Sequence, residues 1–267
     1  MRTMRSLAGG LRLTLVGGFL SYRALITFLT PALFFVMMIA TPLFQIITFS
    51  LLGRYSKAET ADFYVVGTAI QASAMAGIYG ASQAVANERA FGTLAQMLIS
   101  PAARFWIMLG RLIPTCVNGI VVAVFGVFAG WALLGLRLGA GDLAPIGLAA
   151  VCASASCAGL GLVIGALGLR FSDMYFITNA VHLVLLIATG AVIPLALLPE
   201  WVRALSRLLP MSHSIAMAQD VVAGRSFSAL HSVGAELLLA ACYFGVALAA
   251  LARSERQSRR HSTLELV

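Results

Sequence analysis

The chain has 267 residues, 60% of them hydrophobic and only 10% charged, with a formal net charge of +8. A water-soluble domain carries about 25% charged residues because its outer shell must be wetted. This composition excludes such a domain and leaves lipid as the solvent of the outer shell. The basic residues are almost all arginine, Lys57 being the only lysine, and they sit between apolar runs. That pattern orients a chain in a bilayer and does not point to nucleic acid.

Residues 1–27 are basic and mixed. As a helix they place Arg5, Arg12 and Arg23 on one face and Leu7, Leu11, Leu15 and Tyr22 on another, with Leu13, Val16 and Leu20 blurring the pattern. This predicts an amphipathic helix on the cytoplasmic leaflet. Arg12 interrupts the apolar core that a cleaved signal peptide needs. At roughly 20 residues per span, the rest predicts six spans: Phe28–Leu52, Phe63–Ala86, Phe105–Leu136, Leu143–Leu169, Tyr175–Leu198 and Val233–Leu251. A six-span domain over 28–252 is followed by a basic cytoplasmic tail, 253–267. With the N-terminus inside, twelve basic residues fall on the cytoplasmic side and six outside. This predicts a multi-pass protein with both termini cytoplasmic.

The link after the second span opens polar, at Asn87, Glu88 and Arg89, and then sets Phe91, Leu94 and Leu98 at helical spacing. Ser100 and Pro101 are a good stop and restart, serine as N-cap and proline at the first position of the next helix. The residues predict a short surface helix, either a connector resting on lipid or a docking helix for a cytoplasmic partner. After the fifth span, Pro199 starts a helix with Glu200 in its first turn, Trp201, Leu205, Leu208 and Leu209 make an apolar face, and Pro210 ends it. A second short helix begins near Ser212, with Gly224 as its C-cap. His213 reads either as a contact at an exit gate or as a structural hydrogen-bonding residue.

Within the spans Gln45, Gln71, Ser73, Asn118, Asn179 and His182 are the candidates for lining a path. Hydrogen bonding between helices is the rival role for each. Arg170 and Asp173 flank the turn into the fifth span, as an ion pair or a partner contact. Gly126 with Gly130, and Gly161 with Gly165, allow close helix approach and can mark a dimer face. The four cysteines lie in apolar runs with no CxxC pair and no histidine at ligand spacing, so they read as packing residues and no metal site is expected. Acidic residues are almost absent from the spans, Glu236 near the end of the sixth being the exception. A phosphate-binding loop needs a lysine after a glycine, and Lys57 follows a serine. The chain shows no catalytic nucleophile–base set either, which disfavours an intramembrane enzyme.

The run Glu88-Arg89-Ala90-Phe91-Gly92-Thr93-Leu94, then Leu98-Ile99-Ser100-Pro101 and Arg104, resembles that of type-2 ABC exporter permeases. It departs at Ala90 and Ala95, where acidic residues are common. A second likeness covers Pro194, Leu198-Pro199-Glu200-Trp201, Leu209-Pro210-Met211-Ser212-His213 and Gly224. The resemblance implies an all-α integral membrane fold of six transmembrane helices with an N-terminal amphipathic helix, a cytoplasmic coupling helix (Asn87–Pro101) and an extracellular re-entrant hairpin. Pro199, Trp201, Pro210 and His213 would lie at the gate of that hairpin. It also implies an export permease in the inner (cytoplasmic) membrane, paired with a second copy or a paralogue and driven by two cytoplasmic ATPase subunits. ATP and Mg would be bound by those partners, and this chain would hold no cofactor. The alternative is a secondary transporter or channel working alone, which calls for a charged group at mid-membrane depth. His182 is the sequence's candidate.

Overall fold

A computed structural model of the chain describes residues 10, 12, 14–20, 36–56, 59–90, 104–139, 141–167 and 173–261. Among these residues the fold is all-helical. A π-helical turn, Val36–Ala40, leads into α1 (Thr41–Ser56). The second helix, α2 (Ala61–Ala90), carries Asp62 in its first turn, where a carboxylate complements the helix dipole. Next come α3 (Arg104–Leu134), α4 (Leu143–Leu167) and α5 (Met174–Ala188). A 3-10 turn (Leu195–Leu197), two short helices, α6 (Glu200–Ser206) and α7 (Ser212–Val222), and the long α8 (Ala229–His261) complete the chain.

Among the described residues three helices are long and apolar enough to cross a membrane: Met108–Leu134, Leu143–Leu167 and Ala229–Arg253. Two shorter apolar stretches, Thr41–Gly53 and Met174–Ala188, accompany them. The 30-residue α2 is more polar because it is the hub. It packs against α1, α3, α4, α5 and α7, and its Thr68, Gln71, Ser73 and Ser82 are fully buried among them. A polar side chain is tolerable there when neighbouring protein supplies its partners.

The contacts fix the relative direction of the helices. Gly53 lies against Tyr64, and Gln45 bonds Gln71, so α1 and α2 are antiparallel. Gly126 meets Ala69 and Gly80 meets Thr115, which makes α3 antiparallel to α2. Gly77 meets Ser154 and Gly165 meets Val85, so α4 runs parallel to α2. Thr178 bonds Ser82 and Tyr79 bonds His182, reversing α5. Ser156 bonds Glu236 and Gly159 meets Tyr243, aligning α8 with α4. Thus α1, α3 and α5 run one way and α2, α4 and α8 the other.

Three boundaries differ from expectation. The polar residues Asn87, Glu88 and Arg89 continue α2 instead of opening a separate link helix. The fifth apolar run does not stay helical to Leu198. The helix stops at Ala188 because Gly190 adopts φ +86° and Pro194 follows it. The sixth helix passes Leu251 and carries the first part of the basic tail to His261. Asp173 also has a defined role: its carboxylate accepts from the Phe176 amide at 3.1 Å as the N-cap of α5.

Both small-residue pairs pack inside the chain. Gly126 and Gly130 of α3 take Ala69 and Val65 of α2, and Gly161 and Gly165 of α4 take Ile78 and Val85. A Cβ on Gly161 would stand 2.5 Å from the Ile78 carbonyl oxygen, so these glycines set the α2–α4 spacing and do not form an outer face. Cys152 and Cys157 are buried free thiols of α4.

Candidate transport site

The helix pair α6–α7 is a hairpin whose tip is the turn Arg207–Met211. Pro199 is the N-cap of α6 and Glu200 occupies its first turn. At the tip Met211 takes φ +64°, a left-handed conformation rarely adopted by a side-chain-bearing residue. The strain costs about 1–2 kcal/mol. Deleting a buried methionine side chain costs about 2–5 kcal/mol. Because Met211 is fully buried, packing outweighs strain and the residue stays.

Glu236 of α8 holds this turn. Its carboxylate, fully buried, accepts from the Met211 amide at 2.6 Å, the Ser214 amide at 3.2 Å and the Ser156 hydroxyl of α4. The amides belong to the turn and first residues of α7, where the helix dipole also favours an anion. Three further bonds secure the hairpin. Gln219 Nε2 donates to the Gly190 carbonyl at 2.9 Å, Tyr243 Oη donates to the Leu208 carbonyl at 2.9 Å, and His213 Nε2 lies 3.0 Å from the Arg207 carbonyl. The last bond ties the His213 ring to the turn. Pro210 is buried in the turn.

These bonds also measure depth. Ser156 lies about 20 Å along α4 from Leu143, and Tyr243 about 20 Å along α8 from Ala229, at roughly 1.5 Å per residue. Glu236, which accepts from the Met211 amide, lies about 10 Å along α8 from Ala229, so the tip is roughly 10–20 Å inside the two apolar helices. Its other surface is open: Trp201 on α6 is 71% and Leu208 in the turn 63% exposed, and Arg203 and Arg207 are exposed beside them.

The open surface continues onto α5, whose Tyr175, Phe176, Leu183, Val184 and Ile187 are exposed. Asn179 and His182 stand among them, joined through Tyr79 of α2. The Tyr79 hydroxyl donates to Asn179 Oδ1 at 2.6 Å and lies 3.1 Å from His182 Nδ1. A phenol has one proton, so with that proton on the Asn179 bond His182 must donate from Nδ1. The other path candidates sit elsewhere. Gln45 donates to the fully buried Gln71 at 3.3 Å. Ser73 and Ser154 share a hydroxyl bond at 3.0 Å, and Asn118 is buried in α3.

On the opposite end of α2, Asn87, Glu88 and Arg89 form its last turn. Phe91, Gly92, Thr93, Leu94, Leu98, Ser100 and Pro101 lie outside the described residues. The helical residues 14–20 pack on the start of α3, with the Thr14 hydroxyl donating to the Trp106 carbonyl at 3.1 Å. Gly10 faces the Trp106 indole and Gly18 the Gly110 carbonyl. Pro114 lacks the amide that would otherwise occupy that carbonyl. The buried stripe is thus Gly10–Thr14–Gly18, and Leu15 of the expected apolar face is exposed.

Tyr79, Ser156, Gln219 and Tyr243 did not stand out in the sequence. Hydroxyls and an amide in apolar runs look like packing residues until their partners are known. Glu236 did give a signal, as the one acid inside an apolar helix.

Side-by-side apolar helices, with a buried polar hub and two short helices folded against them, define an integral membrane protein. The family profile described as ABC-2 type transporter matches residues 18–222, and the chain belongs to this family. It is the membrane domain of an ABC transporter, a transport subunit of a kind that normally works with an ABC ATPase. No curated protein matches the chain.

Proposed function

We propose that the chain is the permease subunit of an ATP-driven exporter in the cytoplasmic membrane. It crosses six times with both termini inside, the alternating helix directions supporting this path. Two permeases, identical or paralogous, face each other across the open α5–α6 surface, and two ATPase subunits dock beneath. ATP and Mg belong to those subunits. The substrate is amphipathic: a drug-like molecule, a lipid or a lipid-linked molecule. Asn179, His182 and Tyr79 meet it on the path, while Gln45, Gln71 and Asn118 hold the helices together around it. The α6–α7 hairpin re-enters from the outside, and its depth beside α4 and α8 supports that reading.

The observation that carries the proposal is the continuity of α2. One end holds Asn87, Glu88 and Arg89, the start of the docking segment. Near the other end Gly67 lies beneath Gln219, which bonds Gly190 and secures the hairpin. A 30-residue helix is a rod about 45 Å long. Closure of the ATPase dimer would push Asn87–Pro101, and the rod would carry that displacement to the exit side as a rigid-body rocking. The test is reconstitution with the candidate ATPase. Glu88→Ala and Gly92→Trp should hydrolyse ATP but lose most of the transport it drives. Unchanged coupled transport in both would remove the docking segment from the mechanism.

A further inference from the structure

We infer that Arg207 at the hairpin tip is a binding group for the anionic headgroup of an amphiphile, which rests on the reading that the α5–α6 face borders the path. Its neighbour Leu208 is bonded to Tyr243, and the same turn ends at Met211, bonded to Glu236 and 3.3 Å from the Ser156 hydroxyl. Arg207 is therefore held about 10–20 Å inside the apolar lengths of α4 and α8, yet its side chain is exposed. A guanidinium at that depth is not left facing acyl chains. It faces water, a counter-charge or a ligand.

Among the described residues no carboxylate pairs with Arg207. Its acids number ten. Glu88, Asp173 and Glu255 belong to the end of the molecule that holds the end of α2 and the start of α5, and Glu265 lies outside the described residues. Glu59, Asp62, Asp142, Glu200 and Asp220 lie at the opposite ends of the helices or beyond them, and Asp220 pairs with Arg225 at 2.8 Å. Glu236 alone lies at the depth of the tip. It is fully buried, with both oxygens committed to the hairpin and Ser156. An anion from outside the chain would meet no competing carboxylate partner of Arg207 among the described residues.

The neighbours of Arg207 select its form. Trp201 and Leu205 of α6 and Leu208 of the turn expose apolar surface, and Arg203 sits one turn above with Nη2 donating to the Leu198 carbonyl at 3.3 Å. An apolar strip beside a guanidinium that can bind an oxyanion in bidentate fashion suits a phosphate- or carboxylate-bearing amphiphile better than a small hydrated anion.

The test uses the purified chain in nanodiscs and needs no ATPase. Phosphatidylglycerol should be retained about tenfold better than phosphatidylcholine, the factor expected of one charge-assisted contact. Arg207→Gln should abolish the difference, Arg207→Lys should keep part of it, and Arg225→Gln should leave it intact. Equal retention by wild type and a folded Arg207→Gln overturns the site. Displacement of phosphatidylglycerol by equimolar inorganic phosphate overturns the assignment to an amphiphile. A separate arm follows labelling of Arg207→Cys, in a background without the native cysteines, by an impermeant thiol reagent. Absence of labelling sinks the path reading itself. Labelling without lipid discrimination sinks only the headgroup site.

Discussion

Glu236 shows how one residue ties separate parts of the chain together. Removing it leaves the Ser214 amide without this acceptor, reduces the Met211 amide to the 3.3 Å bond to Ser156 Oγ, and leaves the Ser156 hydroxyl the Ala153 carbonyl alone. An unsatisfied buried group costs about 1–3 kcal/mol, so Glu236→Ala should lose about that much and melt below wild type in detergent. Glu236→Gln, of the same shape, should lose less. Equal melting of all three proteins would mean that the carboxylate does not hold the turn. Tyr79 makes the opposite prediction. Its bonds lie on the open face, so Tyr79→Phe should leave the melting temperature almost unchanged while lowering coupled transport several-fold. A large drop in melting with transport intact would assign the cluster a structural role only. Both sites were half legible beforehand. A lone acid in an apolar run, and an asparagine and histidine on one helix, can be read from the sequence. Their partners cannot, because Ser156 and Tyr79 come from helices far along the chain and look like ordinary packing residues.

At the scale of elements, the long apolar runs announce their helices because nothing else satisfies the backbone in lipid. The two short helices α6 and α7 were legible too, through Pro199, Glu200, Ser212 and Gly224, all of which act on the local backbone. The end of α5 was not. An apolar run continues past Ala188, and the turn depends on Gly190 taking a left-handed conformation that Gln219 secures from another helix. The small-residue pairs were legible as close-packing sites but not as to their partner, which is α2 of the same chain. Gly161→Leu should force α4 away from the Ile78 carbonyl, cost more than the 1–3 kcal/mol typical of overpacking, and lower the yield of folded protein on size-exclusion chromatography. Gly147→Leu, on an open stretch of the same helix, should behave as wild type. If both variants behave alike, the α2–α4 contact does not depend on that glycine.

At the scale of the molecule, composition alone places the chain in lipid, and the family match makes it the membrane domain of an ABC transporter. What the sequence does not carry is the hub arrangement. α2 is less apolar than its neighbours because they wrap it, and that burial lets one rod join the end that holds Asn87–Arg89 to the hairpin. A pair of permeases rocked by an ATPase through this rod should part or approach at α6. The direct measurement is the distance between spin labels on Leu205→Cys in two copies, with native cysteines replaced, in proteoliposomes containing the ATPase. The distance distribution should shift by several ångströms on adding ATP and stay fixed when the ATPase is omitted. An unchanged distribution with ATP and ATPase both present, or the same shift with the ATPase omitted, would contradict the account.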